Sequence, residues 1–321
     1  MSSGVPRFDV VSLGEPLYEL NRQPDGRFLP GVGGDTLNVA VAAARLGSRS
    51  AYLSRLGDDV FGDEIRDLMR REGIDASGVG IDEGAPTGLY FITHGPGGHV
   101  FTYRRQGSAA SRMTAADLRP DLIARASFFH ASGISQAISS SAAETVAAAI
   151  GMARTAGVGV SFDTNYRPRL WPVEAARPVI EAAAARADIL KTSIEDSTAL
   201  LGVADPAAIA RHFLALGAGA VVVTLGREGV FFATAEGSGR VAGRHVEAVD
   251  ATGAGDAFTG ALLSERARGT PLGQAVRFAN AAAALSTLGY GAIAPLPSRA
   301  AVEAALPLSP PVDLDQGQVE P

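Results

Sequence analysis

The sequence predicts an α/β fold in which a mostly parallel central sheet is flanked by helices and a small second sheet lies beside it. From Phe128 onward, short apolar runs alternate with helix-forming segments, and repeated strand–helix units build a parallel sheet covered on both faces. The stretch from Thr87 to Arg105 differs, because two β-type runs flank a Gly-Pro-Gly-Gly turn, which is typical of a hairpin.

The composition is that of an acidic globular protein. The 321 residues are 46% hydrophobic and 19% charged, and the formal net charge is −6. Because Lys and Arg are not clustered, the chain is not expected to bind nucleic acid or a membrane surface. The absence of cysteine excludes disulfides, thiolate metal sites and cysteine nucleophiles. With no secretory signal and no apolar run of 18 residues, we expect a cytoplasmic protein.

The first elements follow from apolar runs punctuated by glycine. Asp9–Leu13 is an apolar run that stops at a Gly-Glu-Pro loop, as a buried strand does. Gly33 and Gly34 then precede a run of helix formers that is closed by Gly47. A second strand at 50–56 and an amphipathic helix complete this part.

The hairpin carries apolar side chains on both of its faces. A small sheet of this kind has to cover something on each side. We expect Tyr90 and Tyr103 to face a ligand, and Leu89, Phe91 and Phe101 to contact a partner subunit.

Four further strands are expected in the second half of the chain, at 128–132, 158–163, 188–192 and 220–226. Helices follow the first three, and a second hairpin follows the last. The final 15 residues are Pro-rich and polar, which predicts a mobile C-terminal tail over 307–321.

The most informative stretch is DATGAGDAFTG, which starts at Asp250. Gly253, Ala254 and Gly255 leave the backbone bare before a predicted helix, whose first N–H groups have no internal partner and bind anions. Asp256 would repel an anion, but it can take a proton from a hydroxyl that attacks phosphorus. The stretch therefore indicates phosphoryl transfer to an alcohol. The alternative is a glycine-rich turn that caps a core helix and leaves an exposed aspartate.

Two arginine clusters lie at or near the ends of predicted strands. Arg167 follows Asn165 and Tyr166, whereas Tyr103 and Arg105 are two residues apart on a strand and so share a face. Two arginines at one crevice would suit a small substrate with a carboxylate, because the guanidinium group binds carboxylates with two parallel hydrogen bonds. The alternatives are a surface arginine in a Pro-containing loop and solvated arginines on an edge strand.

Other familiar motifs are absent from the sequence. No GxxxxGK[ST] is present, and no GxGxxG stands between a strand and a helix. The histidines lack metal-ligand spacing, so we interpret each as structural: His94, His99, His130, His212 and His245.

These residues resemble the ribokinase or PfkB family of carbohydrate kinases. The resemblance covers nearly the whole folded chain, from GGDTLNVAVAAARLG and GDDVFG near the front to DATGAGDAFTG near the back. Within that family, the Tyr-x-Arg-x-Gly-Ser-Ala run at 103–109, Tyr90 and GEPLYE at 14–19 look most like the 2-keto-3-deoxygluconate kinases. NYRPRLW is also similar to the fructokinase relatives.

The resemblance implies a ribokinase-like fold with a single kinase domain over 1–306 and lid strands mainly around 14–32 and 87–106. It implies ATP-dependent phosphorylation of a hydroxyl of a small sugar acid, 2-keto-3-deoxygluconate giving its 6-phosphate. A fructokinase or ribokinase that acts on a neutral sugar is the alternative. ATP and Mg²⁺ are the implied cofactors, and a requirement for a monovalent cation stays open. A homo-oligomer assembled through the lid is also implied.

The resemblance assigns Asp256 as the general base and Gly253, Ala254 and Gly255 as the anion hole. Its substrate contacts correspond to Gly34, Asn38, Tyr90, Tyr103, Arg105 and Arg167. Its nucleotide contacts correspond to Ser193, Thr224, Gly226, Gly229, Gly253, Gly255 and Asn280. Asp196 stands where many family members have the Glu of an Asn-x-x-Glu motif, and is expected to orient Mg²⁺ through water.

Two other classes of protein fit the sequence less well. A sugar or nucleotide sensor with this fold would have lost the base or the anion-hole glycines, and both are present. A structural assembly protein would account for the two-faced hairpin but not for Asp256. The choice between gluconate- and galactonate-derived acids and the oligomer size stay open.

Overall fold

The computed structural model describes residues 8–95, 98–309 and 312–315. Its strands are β1 (Phe8–Leu13), β2 (Leu17–Arg22), β3 (Phe28–Gly33), β4 (Ser50–Gly57), β5 (Asp75–Asp82), β6 (Leu89–Gly95), β7 (Gly98–Arg104), β8 (Ala126–Ser132), β9 (Gly159–Asp163), β10 (Ile189–Ser193), β11 (Ala220–Thr224), β12 (Gly229–Thr234), β13 (Gly237–Ala242) and β14 (Val312–Asp315). Its helices are α1 (Asp35–Arg45), α2 (Val60–Arg71), α3 (Pro120–Ile123), α4 (Gly133–Ala137), α5 (Ser140–Thr155), α6 (Val173–Ala184), α7 (Ile194–Leu201), α8 (Pro206–Leu216), α9 (Ala254–Ala267), α10 (Leu272–Ser286) and α11 (Arg299–Ala305).

The larger sheet has the strand order β14-β13-β12-β11-β10-β9-β8-β1-β4-β5. Neighbouring strands from β11 to β5 are parallel, and those from β11 to β14 are antiparallel. The carboxyl ends of parallel strands meet at one edge of a sheet, which is where ligands of open α/β folds bind. Residues at that edge are Gly14, Ser132, Asp163, Ser193 and Thr224.

Helices cover both faces of the larger sheet, which confirms the predicted α/β class. On one face, Phe129 and Phe162 of the sheet share a core with α5, α6 and Phe213 of α8, and the other face buries Phe258 and Phe278 of α9 and α10. The inner strands β1, β4, β8, β9, β10 and β11 are mostly buried, which explains the short apolar runs in their sequences. Among the described residues no single helix could cross a membrane; only α7 and α8 together, bent by 66°, have the necessary length and apolar composition.

The smaller sheet has the strand order β3-β2-β6-β7. β2 and β3 are antiparallel, as are β6 and β7, whereas β2 and β6 are parallel. Two hairpins therefore join side by side into one layer next to the carboxyl edge of the larger sheet. The hairpin predicted around residues 95–98 is one half of this layer.

The register of β6 and β7 corrects one prediction about their faces. Directly opposite residues of an antiparallel pair share a face, and Tyr90 stands opposite Tyr103 while Ile92 stands opposite Phe101. Phe101 packs on the cluster that contains Tyr90 and Ile92. The prediction that Phe101 contacts a partner together with Phe91 is therefore wrong, because residues 101 and 103, two apart on a strand, must lie on the same side.

The end of the chain also differs from the prediction of a mobile tail over 307–321. Val312–Asp315 pairs with β13 in an antiparallel register, with Asp313 opposite Arg240. The alternation of apolar and acidic residues in this segment suits a strand, and β13 would otherwise present an unpaired edge. Residues 316–321 lie outside the described part of the chain.

Candidate active site

A cleft of about 1870 Å³ lies between the carboxyl edge of the larger sheet and the inner face of the smaller one. The structure brings together around it every site residue that the sequence predicted. These are Gly34, Asn38, Tyr90, Tyr103, Arg105, Arg167, Ser193, Asp196, Thr224, Gly226, Gly229, Gly253, Ala254, Gly255, Asp256 and Asn280.

Asp256 stands in the first turn of α9, at the bottom of the cleft. Asn38 donates a hydrogen bond of 2.7 Å from Nδ2 to its Oδ2, so this side chain orients the carboxylate. Burial and the nearby Asp35 carboxylate raise the pKa of Asp256 to about 7, although the Asn38 bond and the Lys191 ammonium oppose that shift. A carboxylate with a pKa near neutrality can accept a proton and release it again.

The glycine-rich stretch forms the start of α9, whose first residue is Ala254. Gly253 precedes the helix in the left-handed conformation, with a φ of 75°, and a Cβ there would lie 2.9 Å from that of Ala292. Only glycine fits this position easily. The N–H groups of Gly255 and Asp256 belong to the first turn and so lack intrahelical acceptors. The positive end of the helix therefore faces the cleft, as an anion site requires.

Each of the two predicted arginines is paired with a carboxylate. Arg105 pairs with the deeply buried Glu15, and Arg167 Nη1 lies 3.1 Å from Asp196 Oδ1. Their exposures differ: the Arg105 side chain is 12% exposed and that of Arg167 is 48% exposed. Arg105 also lies 5.6 Å from the ring centroid of Tyr103. Arg167 is therefore the guanidinium group that is more open to a ligand.

Aromatic rings of the smaller sheet form the roof of the cleft. Tyr90 and Tyr103 are stacked with centroids 5.9 Å apart. The Tyr90 hydroxyl donates to Glu19, and burial raises the pKa of both groups. Tyr90 is thus held by its own sheet, while Tyr103 remains partly exposed towards the cleft.

The other residues predicted for the nucleotide also line the cleft. Ser193 caps the start of α7, and its Oγ accepts from the Asp196 N–H at 3.0 Å. Thr224 ends β11, Gly226 follows it and Gly229 begins β12. The Asn280 amide donates to the Ala242 carbonyl at 2.9 Å, so it also fixes α10 to the neighbouring strand.

Sequence reasoning did not single out the polar group beneath the cleft. Asp35 Oδ2 accepts from Ser132 Oγ and, at 2.8 Å, from Asn165 Nδ2. In the described part of the chain, Asn165 is the one residue other than glycine with a positive φ, of 33°. Its N–H donates to Asp163 at 3.1 Å. The sequence could have indicated this group, because Ser132 and Asn165 lie at or just after strand ends and Asp35 lies in the first turn of α1.

Lys191 was also missed, although it lies in the same group. Its Nζ is 2.9 Å from Asp163 Oδ2, and both side chains are buried. The signal in the sequence was a single charge within the apolar run of β10.

The described residues contain no group of three His, Asp or Glu side chains that would hold a metal ion by themselves. Mg²⁺ commonly uses one or two carboxylates together with substrate phosphates and water. Asp196 fits that pattern, because burial and the nearby Asp163 carboxylate raise its pKa against the opposing effect of Arg167. A cation close to Asp196 would relieve this repulsion.

The histidines lie in varied settings. His130 is fully buried in the larger sheet, where burial lowers its pKa to about 4. His212 hydrogen-bonds a carboxylate at the surface, and His245 is exposed at the cleft. The side chains of His94 and His99 lie outside the described set.

Comparison with known proteins identifies relatives along nearly the whole chain. A 2-dehydro-3-deoxygluconokinase from Thermoproteus tenax is 38% identical over 287 residues, which is 86% of this chain and 87% of that protein. Fructokinase-2 from Solanum habrochaites is 36% identical over 308 residues, covering 90% and 93% of the two chains.

A fructokinase from Xylella fastidiosa, solved with bound ATP, superposes with a TM-score of 0.86 and 29% identity over 93% of this chain and 98% of that one. The model of the pfkB family carbohydrate kinases matches residues 8–299. The match contains both the glycine-rich start of α9 and the cleft residues of the two sheets. The chain therefore belongs to the pfkB family of carbohydrate kinases.

Proposed function

We propose that this kinase transfers the γ-phosphate of ATP to a hydroxyl of a small sugar acid in the cytoplasm, and that 2-keto-3-deoxygluconate gives its 6-phosphate. The observation that carries the proposal is Arg167, a half-exposed guanidinium that shares the cleft with Tyr103 and Arg105. A substrate carboxylate would bind such a group through charge-assisted hydrogen bonds, whereas a neutral sugar would not use its charge. The 2-dehydro-3-deoxygluconokinase among the relatives supports the same substrate class.

The proposed mechanism places the acceptor hydroxyl next to Asp256. The carboxylate takes the hydroxyl proton while the oxygen attacks the γ-phosphorus, and Asn38 keeps the carboxylate in position. The N–H groups of Gly255 and Asp256 stabilise the charge that collects on the phosphoryl oxygens. Ser193 and the loop between β11 and β12 contact the nucleotide.

Mg²⁺ would neutralise charge on the phosphates of bound ATP, with Asp196 holding one of its water molecules. A dependence of catalysis on a monovalent cation is also proposed, with no residue assigned to the cation. Catalysis in potassium, compared with tetramethylammonium at equal ionic strength, tests this requirement.

A neutral-sugar kinase of the fructokinase type is the second candidate. Two observations favour it: both guanidinium groups already have carboxylate partners in Glu15 and Asp196, and a fructokinase is nearly as similar as the acid kinase. Fructose would then bind with both ion pairs intact.

The experiment that separates the two candidates is ADP release over a panel of acceptors. The panel contains 2-keto-3-deoxygluconate, 2-keto-3-deoxygalactonate, fructose, ribose and nucleosides. We expect a keto-deoxy acid to have the highest kcat/KM. If fructose or ribose has the highest value instead, the acid assignment is wrong and the neutral-sugar kinase replaces it.

We also propose that the outer face of the smaller sheet forms a homodimer interface. Phe28 and Phe91 meet there edge to face, with centroids 5.7 Å apart, and Val100 is 51% exposed. An exposed apolar face of this kind marks an interaction surface. The opposite face of the same sheet covers the cleft.

Light scattering should therefore give the mass of a dimer or larger assembly at micromolar concentration. Phe91→Glu should lower the measured mass towards that of the monomer. It should also reduce activity, because the smaller sheet would then no longer be held in place over the cleft. Leu216→Glu, which changes an exposed apolar residue at the end of α8, is the matched control and should change neither. A wild-type monomer would contradict the proposed interface.

A further inference from the structure

We infer that Lys191 is a catalytic residue whose ammonium group binds the phosphoryl group during its transfer, beside the first turn of α9. The inference rests on the phosphoryl transfer proposed above. It names Lys191 as a positively charged side chain that stabilises the transferred phosphoryl group, in addition to the Mg²⁺ that ATP brings.

The position of Lys191 is the first argument. It stands near the carboxyl end of β10, the central strand between β9 and β11, and its side chain lines the cleft. A Cβ placed on Gly255 would lie 2.9 Å from Lys191 Nζ. The ammonium group is therefore next to the helix turn whose N–H groups form the anion hole. A phosphoryl oxygen bound at Gly255 would also be within reach of Nζ.

The charges around the site provide the second argument. Three carboxylates line this part of the cleft, those of Asp35, Asp196 and Asp256, and the buried Asp163 carboxylate lies against Lys191. Burial lowers the pKa of Lys191, but the carboxylates of Asp163, Asp196 and Asp256 outweigh it, so the pKa is raised and the amine stays protonated. A triphosphate that enters beside these carboxylates needs cations on the protein side as well as its own metal ion.

Lysine usage in the sequence points the same way. Lys191 is the only lysine in the chain, and every other one of the 28 basic residues is arginine. Arginine forms surface ion pairs such as those of Arg49 with Asp9 and Arg154 with Asp188, yet this one position has a compact ammonium group. A guanidinium group is broader and planar, whereas lysine presents a point charge with three donors. The short approach to Gly255 leaves room for the smaller group.

The step conserves charge and atoms with Lys191 in this role. The acceptor oxygen forms a bond to the γ-phosphorus, and the bond from that phosphorus to the bridging oxygen of ADP breaks. The hydroxyl proton passes to Asp256, and ADP leaves with the electron pair of the broken bond. Lys191 remains protonated throughout and donates hydrogen bonds to a non-bridging oxygen.

A purely structural role is the competing explanation, because Lys191 also neutralises the buried Asp163. The double variant Lys191→Met with Asp163→Asn separates the two roles, since it removes both charges and leaves no buried ion unpaired. A structural role predicts near wild-type kcat in the double variant. Our proposal predicts a normal melting temperature with kcat lower by about 10²- to 10³-fold, as for the loss of one transition-state donor. Asp163→Asn alone keeps the ammonium group of Lys191, so its kcat should fall far less than that of the double variant.

Rescue by small amines provides a readout that a structural role would not change. In Lys191→Ala the missing ammonium leaves a space, and methylammonium or ethylammonium should raise kcat at least about tenfold. Tetramethylammonium, which cannot donate a hydrogen bond, should not. A double variant with wild-type kcat, or equal effects of the three cations on Lys191→Ala, would overturn the inference.

Chemical labelling decides the question even if no acceptor in the panel is phosphorylated. Reductive methylation of the wild-type chain can modify only the N-terminal amine and Lys191, because no other lysine exists. A non-hydrolysable ATP analogue with Mg²⁺ should protect Lys191 from methylation, as seen by peptide mass spectrometry, while the N-terminal amine is modified as before. If Lys191 is methylated in the free protein and to the same extent with the analogue bound, Lys191 does not meet the phosphates.

Discussion

Replacing Asp256 with Asn should lower kcat by about 10²-fold or more, while ATP binding is largely kept. The substitution preserves the volume of the side chain and its contact with Asn38 but removes the proton acceptor, and general base catalysis typically contributes a factor of this size. ADP release measures kcat, and calorimetric titration with ATP measures binding. An Asp256→Asn enzyme with wild-type turnover would remove the assignment of the base.

The pH dependence of kcat/KM provides a control on the same assignment. Asp256 must be ionised to accept a proton, and its pKa is about 7, so kcat/KM should fall as pH drops through 7 and level off above it. Residual activity of Asp256→Asn should lack this acidic limb. Asp35→Asn removes a charge that raises the pKa of Asp256, so in that variant the limb should move to lower pH.

Replacing Arg167 with Ala should raise KM for 2-keto-3-deoxygluconate by about 10- to 150-fold. Losing a charge-assisted hydrogen bond costs about 1.5 to 3 kcal/mol, which corresponds to this factor in an equilibrium constant. KM for ATP should barely move, and any activity towards fructose should be much less affected. Steady-state kinetics measures KM for the acid, KM for ATP and the activity towards fructose.

Arg105→Ala should have an effect of similar size, but it needs a companion variant. Removing this side chain leaves the carboxylate of Glu15 buried and unpaired, which by itself destabilises the fold. Arg105→Ala should therefore be combined with Glu15→Gln. Arg211→Ala is the control, because this exposed arginine lies on α8 and does not line the cleft. Equal losses for fructose and for the acid would contradict a carboxylate contact.

The sequence predicted the layout of the cleft well, for a physical reason. Parallel strands with apolar interiors must end at a common edge, so polar residues directly after such strands are brought together without knowledge of the packing. Arg167 was found in this way, whereas Ser193 and Thr224 were assigned only by the resemblance to the family. The start of α9 was found because glycines followed by a helix have few other uses than close approach of backbone to a ligand.

Side-chain partners could not be predicted in the same way. The carboxylates that neutralise Arg105 and Arg167 lie 90 and 29 residues away in the sequence, and only the strand order brings them close. Lys191 was passed over because a single charge within an apolar strand does not reveal whether it meets Asp163 or solvent. The error at Phe101 had a different origin, since the period of two was available in the sequence and was not applied to that residue.

The strand β14 limits the pairing of this molecule's larger sheet with strands of other molecules. β13 would leave a row of unpaired N–H and C=O groups at the border of a ten-stranded sheet, and an open border of this kind recruits strands from other molecules. β14 occupies those groups and places Asp313 on the new border, where its charge disfavours further pairing. Residues 312–315 therefore keep the larger sheet from pairing with further strands at that side.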